Sequence, residues 1–165
     1  MEKGVEKIKQ EVEHKATFDE NGNVVLKKKS NISRGKKSRA AGARFELKVR
    51  KDLESIGWIV DKWTNNVDLE SEEVIAARRK FNPFSKVMTI GTGFPDFIGS
   101  KHLGKGKHEL MGIEVKSNGY LDKSEKEKCK LLLEKNIFSK ILIARKGKKR
   151  GSINYVNFNE KYKTN

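Results

Sequence analysis

The sequence has one cysteine in 165 residues, Cys129. That excludes an internal disulfide framework and any zinc site built on cysteines. Cys129 lies between Lys128 and Lys130 in a stretch of helical pattern, with no histidine nearby in sequence to activate it. It reads as a small buried residue rather than a reactive thiol. Nowhere is there a run of about 18 apolar residues, so no membrane-spanning helix is expected. The opening residues lack the apolar stretch of a secretion signal, and the expectation is a soluble, cytoplasmic protein with no membrane partner. The three histidines, His14, His102 and His108, form no His-x-x-x-His or His-Asn-His arrangement and read as surface residues. No internal repeat is evident.

What the chain has in excess is positive charge. The net charge is +15, and 36% of residues are charged against 35% hydrophobic. Residues 1–44 carry 12 bases and 6 acids, residues 45–120 carry 12 and 11, and residues 121–165 carry 13 and 5. A nearly neutral centre therefore lies between strongly basic flanks. That distribution suits a polyanion held by its backbone while acids work at the centre.

The organisation follows from patterning. Residues 1–39 read as a basic appendage. It has a hairpin over Thr17 to Leu26 around Asn21-Gly22, then a flexible arm by composition that contains Lys36, Lys37 and Arg39. A domain is expected over residues 40–158, followed by a tail over 159–165. Phe45, Val49, Leu53 and Ile56 make the stripe of an amphipathic helix that stops at Gly57. Trp58 to Val60 reads as a strand. Trp58 and Trp63 read as core or rim aromatics. Ser71 to Lys80 has a Ser N-cap, acids in its first turn and Arg78, Arg79 and Lys80 at its end, which predicts a helix. Those three bases fit either the helix dipole or phosphate contact. Lys86 to Ile90 reads as a strand that enters the loop Gly91 to Pro95. That loop lacks the lysine and hydroxyl ending of a P-loop. Phe97-Ile98 and Leu110 to Ile113 predict a hairpin. A helix over Ser124 to Lys135 should turn Cys129, Leu132 and Leu133 inward. Strands follow at Ser139 to Ala144 and Ile153 to Phe158, around a basic tip with five bases in the six residues 145–150. The fold class is α/β, a central mixed β-sheet flanked by helices. The bases expected to contact nucleic acid are Lys36, Lys37, Arg39, Arg78, Arg79, Lys80, Lys126, Lys146, Lys148, Lys149 and Arg150.

The chemistry concentrates in Pro95-Asp96 and Glu114-Val115-Lys116. Residues two apart on a strand share a face, so Glu114 and Lys116 stand side by side while Ile113 and Val115 turn into a core. Phosphodiester hydrolysis needs an activated water and neutralisation of phosphate charge, which a divalent cation supplies. Hard cations prefer carboxylate oxygens. Asp96 and Glu114 suit Mg2+, with Mn2+ as a substitute, and the Val115 carbonyl offers a third oxygen. Lys116 beside two acids keeps its proton, so it orients water and stabilises charge rather than acting as a simple base.

Pro95-Asp96 followed by Glu114-Val115-Lys116 resembles the PD-(D/E)XK nuclease superfamily, with its restriction-endonuclease-like fold. Gly42-Ala43-Arg44-Phe45-Glu46 resembles the first helix of archaeal Holliday-junction resolvases and related nucleases. The resemblance covers residues 38–158 in layout and rests on about five residues. It implies a Mg2+-dependent DNA endonuclease, structure-selective and homodimeric, with RNA still open as a substrate. It implies a metal-site role for Glu46, which on sequence alone reads equally as a solvated acid. It also implies that the helix after Lys116 presents Glu125 or Lys126 to the site. Two other readings compete: a restriction- or homing-type nuclease that reads bases, and a nucleic-acid-binding module without catalysis.

Overall fold

The computed structural model describes residues 13–19, 22–77, 79–82, 87–90 and 93–162. The strands are β1 (His14–Phe18), β2 (Val24–Lys28), β3 (Ile59–Lys62), β4 (Asn66–Asp68), β5 (Glu73–Ile75), β6 (Arg79–Asn82), β7 (Val87–Ile90), β8 (Phe97–Gly104), β9 (Lys107–Val115), β10 (Lys140–Lys146) and β11 (Ile153–Asn157). The helices are α1 (Lys29–Ser55), α2 (Lys123–Glu134) and α3 (Phe158–Tyr162). Two compact units emerge, Met1–Arg44 and Phe45–Asn165, and the division falls inside α1. None of these helices is long and apolar enough to cross a membrane.

In the first unit, β1 and β2 form the expected hairpin, pairing His14 with Lys28 and Phe18 with Val24. Gly22 takes φ +85°, and the Asp19 carboxylate accepts from the Asn23 amide at 2.8 Å. Asn21 lies outside the described residues. The arm expected to be flexible is instead helical, because α1 starts at Lys29. Each glycine inside a helix costs about 1 kcal/mol. Against Gly35 and Gly42 stand Lys, Arg, Ala and Glu residues, all strong helix formers. The helix also continues into a stripe that is buried in the second unit.

That stripe is Phe45, Val49 and Leu53, at most 7% exposed. Burial of each contributes roughly 1.5–3 kcal/mol. Ile56, expected in the same stripe, is 59% exposed because the helix has already ended. Gly57 terminates it with φ +88°, and the Trp58 amide donates back to the Leu53 carbonyl.

The second unit is built on a five-stranded mixed sheet in the order β11-β10-β9-β8-β3. Every neighbour pair is antiparallel except β9 and β10, which run parallel. A parallel pair needs a crossover, and α2 supplies it. One face packs on α1 through Phe45, Val49, Leu53, Phe97, Met111 and Ile113. The other packs on α2 through Cys129, Leu131, Leu132, Ile141 and Ile143. Leu131 joins the inward set of α2, and Leu133, expected there, is half-buried against the same core. Burial pushes the Cys129 thiol up, which leaves it unreactive.

Residues 71–80 are not the expected helix. Glu73–Ile75 is a strand that pairs with Asn66–Asp68, and Arg79–Asn82 pairs with Val87–Ile90. Buried Val67, with half-buried Leu69 and Val74, fastens the first of these hairpins to the core. Of the strand expected over Lys86 to Ile90, Lys86 lies outside the described residues, and Val87–Ile90 pairs with β6 and not with the central sheet. Phe158, expected at the end of the last strand, instead opens α3 and is fully buried, and the tail expected from residue 159 is helical through Tyr162. Trp63 packs edge-on against Phe138, with ring centroids 5.3 Å apart, as a core-rim aromatic.

Candidate active site

Asp96 comes into place through a close approach of backbones. Phe94 donates its amide to the Asn65 carbonyl at 2.9 Å, and Trp63 donates to the Asp96 carbonyl at 3.3 Å. Gly93 makes that lacing possible. A Cβ there would stand 2.1 Å from the Trp63 carbonyl oxygen and 2.7 Å from that of Asn65. Both obstacles are backbone and cannot step aside. Gly93→Ala is expected to cost about 2–3 kcal/mol, seen as a melting temperature lower by roughly 5–10 °C. An unchanged melting temperature would contradict this packing. Gly91 and Thr92 lie outside the described residues.

Asp96 and Glu114 then lock together. The Asp96 amide donates to Glu114 Oε2 at 3.2 Å, and the Val115 amide donates to Asp96 Oδ2 at 2.9 Å. Each carboxylate thus accepts from the backbone of the other's strand end. Gly112 permits it, because a Cβ at that position would stand 2.9 Å from Pro95 Cγ. As the alternation requires, Ile113 and Val115 join the α1 side of the core. Glu114 and Lys116 share the opposite face. Glu114 is only 5% exposed.

The electrostatics follow from that burial. Burial, reinforced by the Asp96 charge, pushes the Glu114 carboxyl up to about 8 against the pull of Lys116. Burial also raises Asp96, opposed by the Val115 hydrogen bond and aggravated by the charge of Glu46. Lys116 Nζ lies 3.3 Å from Glu114 Oε1 and donates a short hydrogen bond to Glu125 Oε1. Burial works to lower its pKa, but the Glu125 hydrogen bond and the charges of Glu114 and Glu125 outweigh it. The ammonium therefore stays protonated, in line with a role as donor.

Glu46, on α1, sits close enough for its charge to act on Asp96, but its carboxylate bonds Lys62 Nζ at 2.6 Å. The structure brings Asp96, Glu114 and Lys116 into contact and gives Glu46 a separate partner. No group of three or more His, Cys, Asp or Glu among the described residues stands at metal-holding spacing. The donor chemistry still fits a hard divalent cation. With every group ionised, as a bound cation would favour, Asp96, Glu114, Glu125 and Glu46 against Lys116 and Lys62 leave a formal charge of −2 in a partly desolvated place.

Two participants carry weaker sequence signals. Lys62 lies sixteen residues from Glu46, with no periodicity linking them. Glu125 was legible as part of Asp122-Lys123-Ser124-Glu125, a capping-box pattern. The Glu125 amide donates to Asp122 Oδ1 at 2.8 Å, and the Asp122 amide donates to Glu125 Oε2 at 2.9 Å. One carboxylate therefore starts α2 and grips Lys116. Glu125→Gln should preserve the cap and remove the charge. We expect a melting temperature within about 2 °C of wild type. A markedly larger loss would show that the carboxylate charge, and not the cap alone, holds this corner together.

The bases expected to contact nucleic acid fall in several places. Lys36, Lys37 and Arg39 are exposed on α1 in the first unit. Arg79 is exposed on β6, Lys80 belongs to the same strand, and Arg78 lies outside the described residues. Lys146, Lys148, Lys149 and Arg150 are exposed at the β10–β11 tip. An open cavity of about 430 Å³ there is lined by Arg145, Lys146, Lys148 and Lys149 with Ser152 and Asn154. Lys126 is half-buried on α2, its ammonium 4.7 Å from the Tyr162 ring centroid. Compared with known proteins, the chain matches no family model, no curated protein and no solved structure.

Proposed function

We propose that this chain is a Mg2+-dependent DNA endonuclease of the PD-(D/E)XK type, selective for branched structure and working as a homodimer. The observation that carries the reading is the interlocked, buried Asp96–Glu114 pair with protonated Lys116 on the same face. The mixed five-stranded sheet with its single parallel junction, between α1 and α2, supports a restriction-endonuclease-like fold.

Asp96 and Glu114, with the Val115 carbonyl and Glu46, would hold the cation. When bound, Mg2+ supplies the activation of water and part of the charge neutralisation on the phosphate. The chain's own residues do the rest. The buried carboxylates fix the position of the cut, because each is tied to the other's backbone. Lys116 directs an ammonium proton at charge that develops on a phosphate oxygen. Glu125 holds that ammonium in place, and Lys62 restrains Glu46. The exposed bases of the β10–β11 tip contact the nucleic-acid backbone, which gives salt-dependent affinity. Two copies would place two such centres on a symmetric substrate.

The test is a substrate panel of four-way junction, flap, linear duplex and single strand, incubated with Mg2+ and with EDTA. Cleavage in Mg2+ alone, strongest on branched substrates, is expected. Fixed cuts in random plasmid would instead favour a base-reading nuclease. Binding without cleavage of any substrate would leave a non-catalytic module.

A further inference from the structure

The segment that leads from Lys116 into α2 presents an exposed aromatic ring from a tightly tied backbone. Gly119 donates its amide to the Lys116 carbonyl at 2.7 Å, and Lys146 donates to the Ser117 carbonyl at 3.3 Å. The Leu121 amide donates to the Tyr162 hydroxyl at 3.3 Å, and Lys161 Nζ donates to the Gly119 carbonyl. Gly119, at φ +75°, lies flat against the Arg145 side chain, where a Cβ would stand 2.6 Å from Arg145 Cδ. Tyr120, held inside this set of bonds, is nevertheless 70% exposed. A large ring on a fixed backbone loses little entropy when it stacks on a flat partner.

The ring is not isolated. Lys161 Nζ lies 4.7 Å from the Tyr120 centroid and 5.2 Å from that of Tyr162, and Lys126 Nζ lies 4.7 Å from Tyr162. Among the described residues, neither ammonium has a carboxylate partner within 4.0 Å. Two unneutralised ammonium groups against two aromatic rings are suited to a group that is flat and apolar on one side and anionic on the other. A nucleotide has that form. Duplex bases are already stacked and offer no open face, so the fit is to an unpaired nucleotide. The shelf is bonded to the candidate centre on both sides. Gly119 donates to Lys116, and Glu125, the residue before Lys126, grips the Lys116 ammonium.

We propose that Tyr120, with Lys161, Lys126 and Tyr162, forms a stacking shelf for an unpaired nucleotide beside the scissile phosphate. This rests on the nuclease reading and names its substrate class: DNA with single-stranded character at the cut. The base stacks on Tyr120, and the adjoining phosphate meets the two ammonium groups. Selectivity for branched DNA then follows without any reading of base edges.

The experiment measures binding by fluorescence anisotropy in EDTA. The full chain is mixed with a labelled single strand and, separately, with its duplex. Tyr120→Ala should weaken the single-strand complex by about 10-fold, the scale of one lost stacking contact, and change the duplex complex less than about twofold. Tyr120→Phe should bind both like wild type, which shows that the ring and not the hydroxyl matters. Lys126→Gln should reduce the salt slope for the single strand by about 0.7. Single-strand affinity of Tyr120→Ala within twofold of wild type would overturn the shelf, and so would an equal loss on both ligands. An unchanged salt slope would remove the phosphate half of the proposal. Because no cleavage is read, the shelf and the nuclease reading fail separately. Selective loss with no Mg2+-dependent cleavage would keep the shelf and refute catalysis, whereas wild-type protein that binds neither ligand would refute both.

Discussion

Asp96→Asn is expected to lower Mg2+-dependent cleavage on the order of 10³-fold while leaving nucleic-acid binding in EDTA within about twofold of wild type. The variant separates charge from architecture. Asp96 Oδ2 accepts the Val115 amide, and the carbonyl oxygen of the substituted amide side chain would accept it equally, so the loop stays fastened. What disappears is one carboxylate of the interlocked pair that would hold the cation. The exposed bases of the β10–β11 tip and of α1, to which binding is assigned in the proposed function, are not touched by this change. Single-turnover cleavage beside anisotropy binding checks the split. Retained cleavage would show that Asp96 is structural only. Equal loss of binding and cleavage would show a disturbed fold.

Glu114→Gln should stabilise the protein while abolishing its activity. A carboxyl that ordinarily titrates at about 4.5 is held at about 8 by burial and by Asp96. Between those two pH values the unfolded chain has released the proton and the folded chain retains it. Stability therefore falls as pH rises from 4.5 towards 8, and the loss is complete above 8. A neutral Gln carries no such penalty. At pH 7 the variant should be more stable on the order of 3 kcal/mol, or roughly 6–12 °C in melting temperature. Its profile between pH 4.5 and 8 should be flatter than that of wild type. Lys116 retains Glu125 in the variant, so no ammonium is stranded. Added Mg2+ should narrow the gap, because it stabilises only the protein that binds it. A variant that melts at or below wild type, with the same pH slope, would contradict this account of Glu114. The expected trade of stability for function is the pattern of a site that keeps like charges close.

Much of this site was legible because strand alternation is strict. Ile113 and Val115 had to turn one way, and Glu114 and Lys116 the other. The stripe of Phe45, Val49 and Leu53, the stop at Gly57, and the strands at 140–146 and 153–157 were equally readable, since burial on one face leaves a periodic trace. Residues 71–80 mislead because a Ser followed by two acids imitates a helix start. Val74 and Ile75 are β-branched, however, and their pairing with Asn66–Asp68 is a tertiary choice. Residues 29–39 mislead in the opposite sense, since Ser, Gly and Lys composition suggests an arm while helix propensity permits continuation. Pairings such as Lys62 with Glu46, and Tyr120 with Lys161, join distant residues and leave no local pattern. Local sequence therefore carried the acids and the lysine, and tertiary packing supplied the partners that hold them.

The most direct measurement follows a single sample through three states. Wild-type protein is incubated with a labelled four-way junction in Mg2+, then with excess EDTA and then with excess Mg2+, and Asp96→Asn is run in parallel. Cleavage that goes on, off and on again is expected for wild type, and none above background for the variant. Cleavage that persists in EDTA, or that Asp96→Asn performs at the wild-type rate, would contradict the proposed function.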